Sequence, residues 1–153
     1  MPGSADAYRH VYRVASRRYA RDLTGEGARR FGGRWTPAGC PVLYTAEHPA
    51  LAGFEKFVHA GVAITASPLD YRLIVLAIRK DNMDKVQHMP ADPLAVGTAW
   101  YEAGEYLALE VPSVVVPYAS NILINAQHPD ASTISIQDDV GFVFDPRLNS
   151  VLS

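Results

Sequence analysis

Arg34, Tyr44 and Glu55 stand ten and eleven residues apart, and they carry most of the chemistry this sequence offers. Arg34 follows a glycine pair in Gly32-Gly33-Arg34-Trp35. A guanidinium holds phosphate in a two-point fork. A phenol presents a flat face and a hydroxyl. A fixed carboxylate stabilises positive charge that develops beside it. Together the three suit a dinucleotide better than a peptide or a metal ion. On the residues alone, each has a plain alternative. The glycine pair reads equally as a turn with Arg34 as a surface charge. Tyr44 reads equally as a core aromatic beside Trp35. A helical glutamate is commonly a solvated surface residue.

Several elements must position these residues. Tyr8 to Ala15 alternates as a strand, with His10, Tyr12 and Val14 on one face and Arg9 and Arg13 on the other. Ser16 to Pro41 follows as a long irregular stretch with five glycines, two prolines and six arginines. Loops this long in compact domains are usually functional or disordered. Tyr19, Phe31 and Trp35 give it aromatic anchors. Pro41 to Tyr44 reads as a short strand. Pro49 suits the first turn of a helix that runs to about His59, with Gly61 as its stop. Leu51, Phe54 and Val58 share that helix's apolar face, and Glu55 borders it. Tyr71 to Arg79 reads as a central strand, and Pro90 to Gly104 carries a helix. Tyr106 to Val111, Val114 to Val116, Asn121 to Asn125, Ile134 to Gln137 and Gly141 to Phe144 read as further strands. Strands and helices do not alternate regularly, which predicts an α+β fold rather than a doubly wound sheet.

Composition narrows the function. A chain of 153 residues predicts one domain spanning 1–153. A formal net charge of -2 does not favour nucleic acid as a partner. The single cysteine, Cys40, rules out an internal disulfide and a multi-cysteine zinc site, and it fits a reducing cytoplasm. The five histidines show no paired metal spacing, so no metal site is expected. No leader is read in Met1 to Ala7, and no apolar run is long enough to span a bilayer. A G-x-G-x-x-G opening, a phosphate-binding P-loop and a G-x-S-x-G elbow are all absent from the sequence.

With these pieces in order, the chain resembles the RES-domain family, the toxin half of bacterial RES–Xre toxin–antitoxin pairs. The resemblance rests on Tyr12-Arg13-Val14, Gly32-Gly33-Arg34-Trp35, Val42-Leu43-Tyr44-Thr45 and Leu51-Ala52 through Glu55. It continues through Val111-Pro112-Ser113, Asn121 to Asn125 with His128-Pro129, and Phe144-Asp145-Pro146-Arg147-Leu148. It departs from the family's usual pattern at Thr36, Ala46 and Ala126, where asparagine, serine and proline are common. Ala46 is expected to remove a hydroxyl near the site.

The resemblance implies an ADP-ribosyltransferase-like split β-sandwich with flanking helices. It implies a toxin that degrades NAD+ at the nicotinamide–ribose bond, by water or by inorganic phosphate as co-substrate. Glu55 is then the oxocarbenium stabiliser, Arg34 the pyrophosphate clamp and Tyr44 the nicotinamide platform. Gly33 allows close backbone approach, and Ser113 lies within reach of the ligand. Arg13 is a second phosphate or ribose ligand, or equally a structural ion pair. The implied partner is a helix-turn-helix antitoxin of Xre type that meets the arginine-rich loop. Two alternatives remain: a protein ADP-ribosyltransferase and a catalytically silent binding module. The residues before Glu55, Gly53-Phe54, lack an acceptor-directing Gln/Glu-x-Glu motif, which ranks the transferase lower.

Overall fold

The computed structural model describes residues 5–66 and 70–148. Residues 1–4, part of the stretch read for a leader, lie outside the described residues.

Apolar runs of strand length form a seven-stranded sheet: β1 (Tyr8–Ser16), β2 (Val42–Ala46), β3 (Tyr71–Arg79), β4 (Met83–Lys85), β5 (Ala108–Pro112), β6 (Ser120–Asn125) and β7 (Ser135–Gly141). The order is β4-β5-β6-β2-β1-β3-β7, antiparallel except between β4 and β5. Three helices flank it: α1 (Glu26–Phe31), α2 (Pro49–Ala66) and α3 (Pro93–Ala103). The chain is therefore α+β.

The sheet is almost divided. β1 pairs with β3 from Tyr8 to Ser16 and β2 with β6 from Val42 to Ala46, but β1 meets β2 only at Tyr12 and Ala46. One face of both halves closes on a common core. Val11, Leu43, Ile74, Leu76, Ile78, Ile122 and Ile124 pack there in a single cluster. Each is essentially inaccessible, so each contributes roughly 1.5–3 kcal/mol of burial. The opposite face takes the helices. Val14, Ala46 and Tyr71 pack with Leu51 and Ala52 of α2. Val42, Leu109, Val111 and Leu123 pack with Trp35 and with Trp100 of α3.

Several expectations are corrected. The stretch between β1 and β2 contains α1, a helix of six residues whose interior buries nothing. Too short to carry an apolar stripe, it leaves no periodic signal. α2 continues past Gly61 to Ala66, since one interior glycine costs a helix only about 1 kcal/mol. Phe54 and Val58 are about half exposed, and the buried stripe of α2 is Leu51 and Ala52 with Phe57 partly buried. Val114 to Val116 is a turn, not a strand. A single strand, β7, replaces the expected last two, and a bulge opposite Val75 and Leu76 absorbs its extra residue. Phe144 leaves the sheet and packs edge-on against Tyr71, with ring centroids 5.4 Å apart. β4, three residues long, carries no readable pattern.

α3 is held unusually close to its neighbour. Its N-cap is Asp92, whose side chain accepts from the Ala95 N–H at 3.1 Å, with Pro93 in the first turn. At Gly97 the helix lies flush on the Trp35 carbonyl, where any Cβ would overlap the carbonyl oxygen. Gly97→Ala should therefore lower the unfolding free energy in urea by about 1–3 kcal/mol through overpacking. Gly27→Ala is the control, because a Cβ at Gly27 meets nothing within 4 Å. Equal stability of the two variants would show that α3 is free to move away from Trp35.

Candidate active site

A cleft of about 880 Å³ opens between α2 and the N-terminus of α3. The segment after α1, with Gly33 and Arg34, forms one side. Tyr44 of β2 and Asn121 of β6 also line it. Glu55 of α2 stands on one helix wall and Asp92 on the other.

Glu55 is half-buried and held at both oxygens. Ser113 Oγ donates to Oε1 at 3.1 Å, and Asn121 Nδ2 donates to Oε2 at 2.9 Å. Asn121 is itself fixed, because Nδ2 also reaches the Thr45 carbonyl at 3.2 Å. Ser113 is fixed too: its Oγ accepts from the N–H groups of Val115 and Val116, both at 3.1 Å. With its lone pairs occupied by backbone donors, the hydroxyl has its proton left for Glu55. The Ser113 N–H donates to the Ala119 carbonyl at 2.8 Å, which ties the start of the reversal to its end. Its tip requires Tyr118 at φ 64, a left-handed conformation that a fully exposed tyrosine rarely takes. That strain costs about 1 kcal/mol and closes the turn that aims Ser113 and Asn121 at one carboxylate.

Tyr44 is held from two sides. Its Oη and Thr36 Oγ1 share a hydrogen bond of 2.8 Å, and Thr36 is fully buried. A Cβ on Gly33 would lie 2.6 Å from the Tyr44 hydroxyl oxygen. The tyrosine ring thus excludes any side chain at Gly33. Gly32 beside it takes φ 71, and its N–H closes α1 on the Ala28 carbonyl. Burial pushes the Tyr44 phenol above its ordinary value, with hydrogen bonds from Thr36 and nearby backbone opposing it in part. The phenol is therefore neutral at neutral pH.

Arg34 is exposed on the cleft wall, and among the described residues it has no hydrogen bond or ion pair. Its neighbours in the sequence differ. Arg29 is forked onto Glu26, Arg21 donates once to Asp139 at 2.7 Å, and Arg30 lies over the Phe31 ring. An unpaired guanidinium facing a fixed carboxylate across a cleft suits a ligand with an anionic end and an end that becomes cationic.

Four of the expected site residues thus share one cleft: Gly33, Arg34, Tyr44 and Glu55. Ser113 stands behind Glu55, touching the carboxylate rather than forming the wall. Arg13 is not brought to the cleft. Strand alternation turns it to the opposite sheet face, where its guanidinium donates to the carbonyls of Tyr19 and Ala20 at 2.9 and 3.3 Å. Burial pushes this guanidinium below its ordinary value, with Asp22 nearby opposing the shift. Thr36, Asp92 and Asn121 were not read as site residues. For Asn121 a signal existed, a polar residue directly before the apolar run Ile122 to Ile124. Among the described residues, no group of three or more His, Cys, Asp or Glu side chains gathers as a metal site. No described helix is long and apolar enough to cross a membrane.

The RES domain model matches residues 10–145, nearly all of the described chain. The chain belongs to the RES domain family. Curated relatives of this RES domain are toxins. It is 35% identical over 151 residues to Toxin Res of Yersinia enterocolitica, covering 90% of this chain and 98% of that protein. It is 32% identical over 143 residues to the Prs ADP-ribosylating toxin of a Sphingobium species, covering 84% and 88%. The fold matches the crystal structure of the MbcT–MbcA toxin–antitoxin complex of M. tuberculosis at a TM-score of 0.74 and 20% identity, covering 95% of this chain and 88% of that chain.

The Glu55 clamp predicts a stability effect. Ser113→Ala leaves two backbone N–H groups and one carboxylate oxygen without their partner, and should cost about 1–3 kcal/mol in urea denaturation. Unchanged stability would mean that the serine hydroxyl does not organise this turn.

Proposed function

We propose that this RES domain is the toxin of a toxin–antitoxin pair and that it destroys NAD+ by breaking the nicotinamide–ribose bond. The observation that carries this reading is Glu55, fixed by two neutral donors on the wall of a dinucleotide-sized cleft that also bears the unpaired Arg34. Nicotinamide in NAD+ is already cationic and leaves as a neutral base, taking the electron pair of the C–N bond. No general acid is needed. The sugar passes through an oxocarbenium-like state, as in glycoside hydrolysis. Glu55 accepts a hydrogen bond from a ribose hydroxyl and stabilises the positive charge at the anomeric carbon. Its two protein donors are neutral, so its negative charge is not cancelled by a partner. Arg34 holds the pyrophosphate, and Tyr44 offers its ring to nicotinamide. An oxygen of water or of inorganic phosphate then bonds to the anomeric carbon, giving ADP-ribose or its 1″-phosphate.

The relatives' toxin names and the toxin–antitoxin complex of the structural neighbour support an antitoxin partner here. The proposed partner is a helix-turn-helix protein of Xre type. Arg18, Arg30 and Arg34, which have no carboxylate partner among the described residues, are the groups to receive its acidic side chains or its C-terminal carboxylate. The proposed substrate and the lone buried thiol agree with action in the cytoplasm.

A second reading is favoured by the name of the Sphingobium relative, an ADP-ribosylating toxin. There ADP-ribose passes to a protein nucleophile instead of to water or phosphate. Incubation of the protein with adenine-labelled NAD+ separates the two. Degradation leaves label in small molecules, and the product with and without phosphate identifies the nucleophile. Label retained on protein would favour the transferase. Glu55→Gln should slow nicotinamide release by about 100- to 1,000-fold, and equal rates in wild type and variant would overturn the mechanism.

A further inference from the structure

The charges on the cleft wall are unequal. Among the described residues Arg34 is the one arginine or lysine on it, with His59 of α2 nearby, whereas Glu55 and Asp92 are carboxylates. Glu55 stands on α2 and Asp92 on the facing end of α3. The nearby cations do not line the cleft: Arg29 pairs with Glu26, Arg30 lies over the Phe31 ring, and Lys56 lies over the Tyr71 ring at 6.0 Å. Arg34 suffices for one pyrophosphate. A further phosphate would find no second arginine or lysine among the described residues of the cleft.

Asp92 is held by the helix it caps. Oδ1 accepts the Ala95 N–H at 3.1 Å, while Oδ2 has no hydrogen-bond partner among the described residues. This bond orients the exposed side chain and leaves it an acceptor to spare. Pro93 in the first turn has no N–H, so this helix end offers an anion fewer donors than most. A carboxylate with a free oxygen takes the two hydroxyls of a ribose well and a ribose phosphate badly. Dinucleotide-binding folds use the same chemistry when an acidic residue reads a ribose 2′-hydroxyl.

We infer that the cleft accepts NAD+ and rejects NADP+, and that Asp92 makes the distinction by binding the adenosine ribose diol and repelling a 2′-phosphate. This rests on the reading of the cleft as a nicotinamide dinucleotide site. Glu55 serves the nicotinamide ribose at one wall, and Asp92 serves the adenosine ribose at the other. Asp92 is a specificity-determining residue, not a catalytic one.

Nicotinamide release from NAD+ and from NADP+ tests this in wild type and Asp92→Asn. Asparagine caps a helix as well as aspartate does, so α3 is retained. Wild type should prefer NAD+ in kcat/KM by about 100-fold, the size expected of a like-charge contact in a cleft. D92N should narrow that preference by about tenfold or more, through KM rather than kcat. Equal use of both dinucleotides by wild type, or an unchanged ratio in D92N, would overturn the inference. The same ratio is read from dissociation constants in Glu55→Gln with and without D92N. If wild type releases no nicotinamide yet E55Q binds NAD+ selectively, the proposed reaction fails and the selectivity stands. Binding of neither dinucleotide would overturn both.

Discussion

The single backbone pairing between Tyr12 and Ala46 is the constraint on which the arrangement depends. It joins two half-sheets that otherwise separate, and α2 lies across the join. Leu51 and Ala52 pack at once on Val14 of β1 and on Ala46 of β2. The helix is therefore registered to both halves, and the direction of Glu55 follows from that registration. Ala46 is buried at this contact and does not line the cleft. It stands opposite Asn121 of β6, so the hydroxyl that alanine lacks here would lie beside the residue that holds Glu55, under α2. The other two departures from the family pattern also have local roles. Thr36 supplies the hydroxyl that holds Tyr44, and the Ala126 N–H, which a proline would lack, donates to the Pro41 carbonyl at 3.1 Å.

Rigidity at the carboxylate comes from the backbone. Two N–H groups hold Ser113, Ser113 holds one oxygen of Glu55, and Asn121, braced on the Thr45 carbonyl, holds the other. Such a site need not reorganise when charge develops near it, which is the advantage of preformed dipoles over water. The left-handed turn at Tyr118 is the local strain that goes with it.

The fold was legible where burial is one-sided or complete. β1, β3 and β6 follow from alternation and apolar runs, and α3 was expected within Pro90 to Gly104, although its Asp92 cap and its start at Pro93 were not read. α1 and β4 were not legible, because elements this short are stabilised by what they touch and carry no period of their own. Arg34, Tyr44 and Glu55 were readable as residue types at a spacing. Their neighbours were less so. Ser113, Asn121 and Thr36 act through contacts that span dozens of residues or a buried turn, and Arg13 was lost to the face of the strand it occupies. A strand's parity tells which residues share a face. It does not tell which face the cleft will open on.

The arginine-rich segment shows how sequence charge and available charge differ. Of its six arginines, Arg17 meets Asp70, Arg21 meets Asp139, Arg29 meets Glu26, and Arg18 and Arg30 lie over aromatic rings. Only Arg34 is left without a partner among the described residues, and it is the one on the cleft. The surface pairs are each worth well under about 1 kcal/mol, so they matter less as stability than as occupancy. None of the other five guanidinium groups lines the cleft, so among its described residues Arg34 is the one arginine or lysine beside two carboxylates. A ligand suited to that balance carries one compact anionic group and a sugar on each side of it, and a second phosphate dianion does not fit the same set of charges.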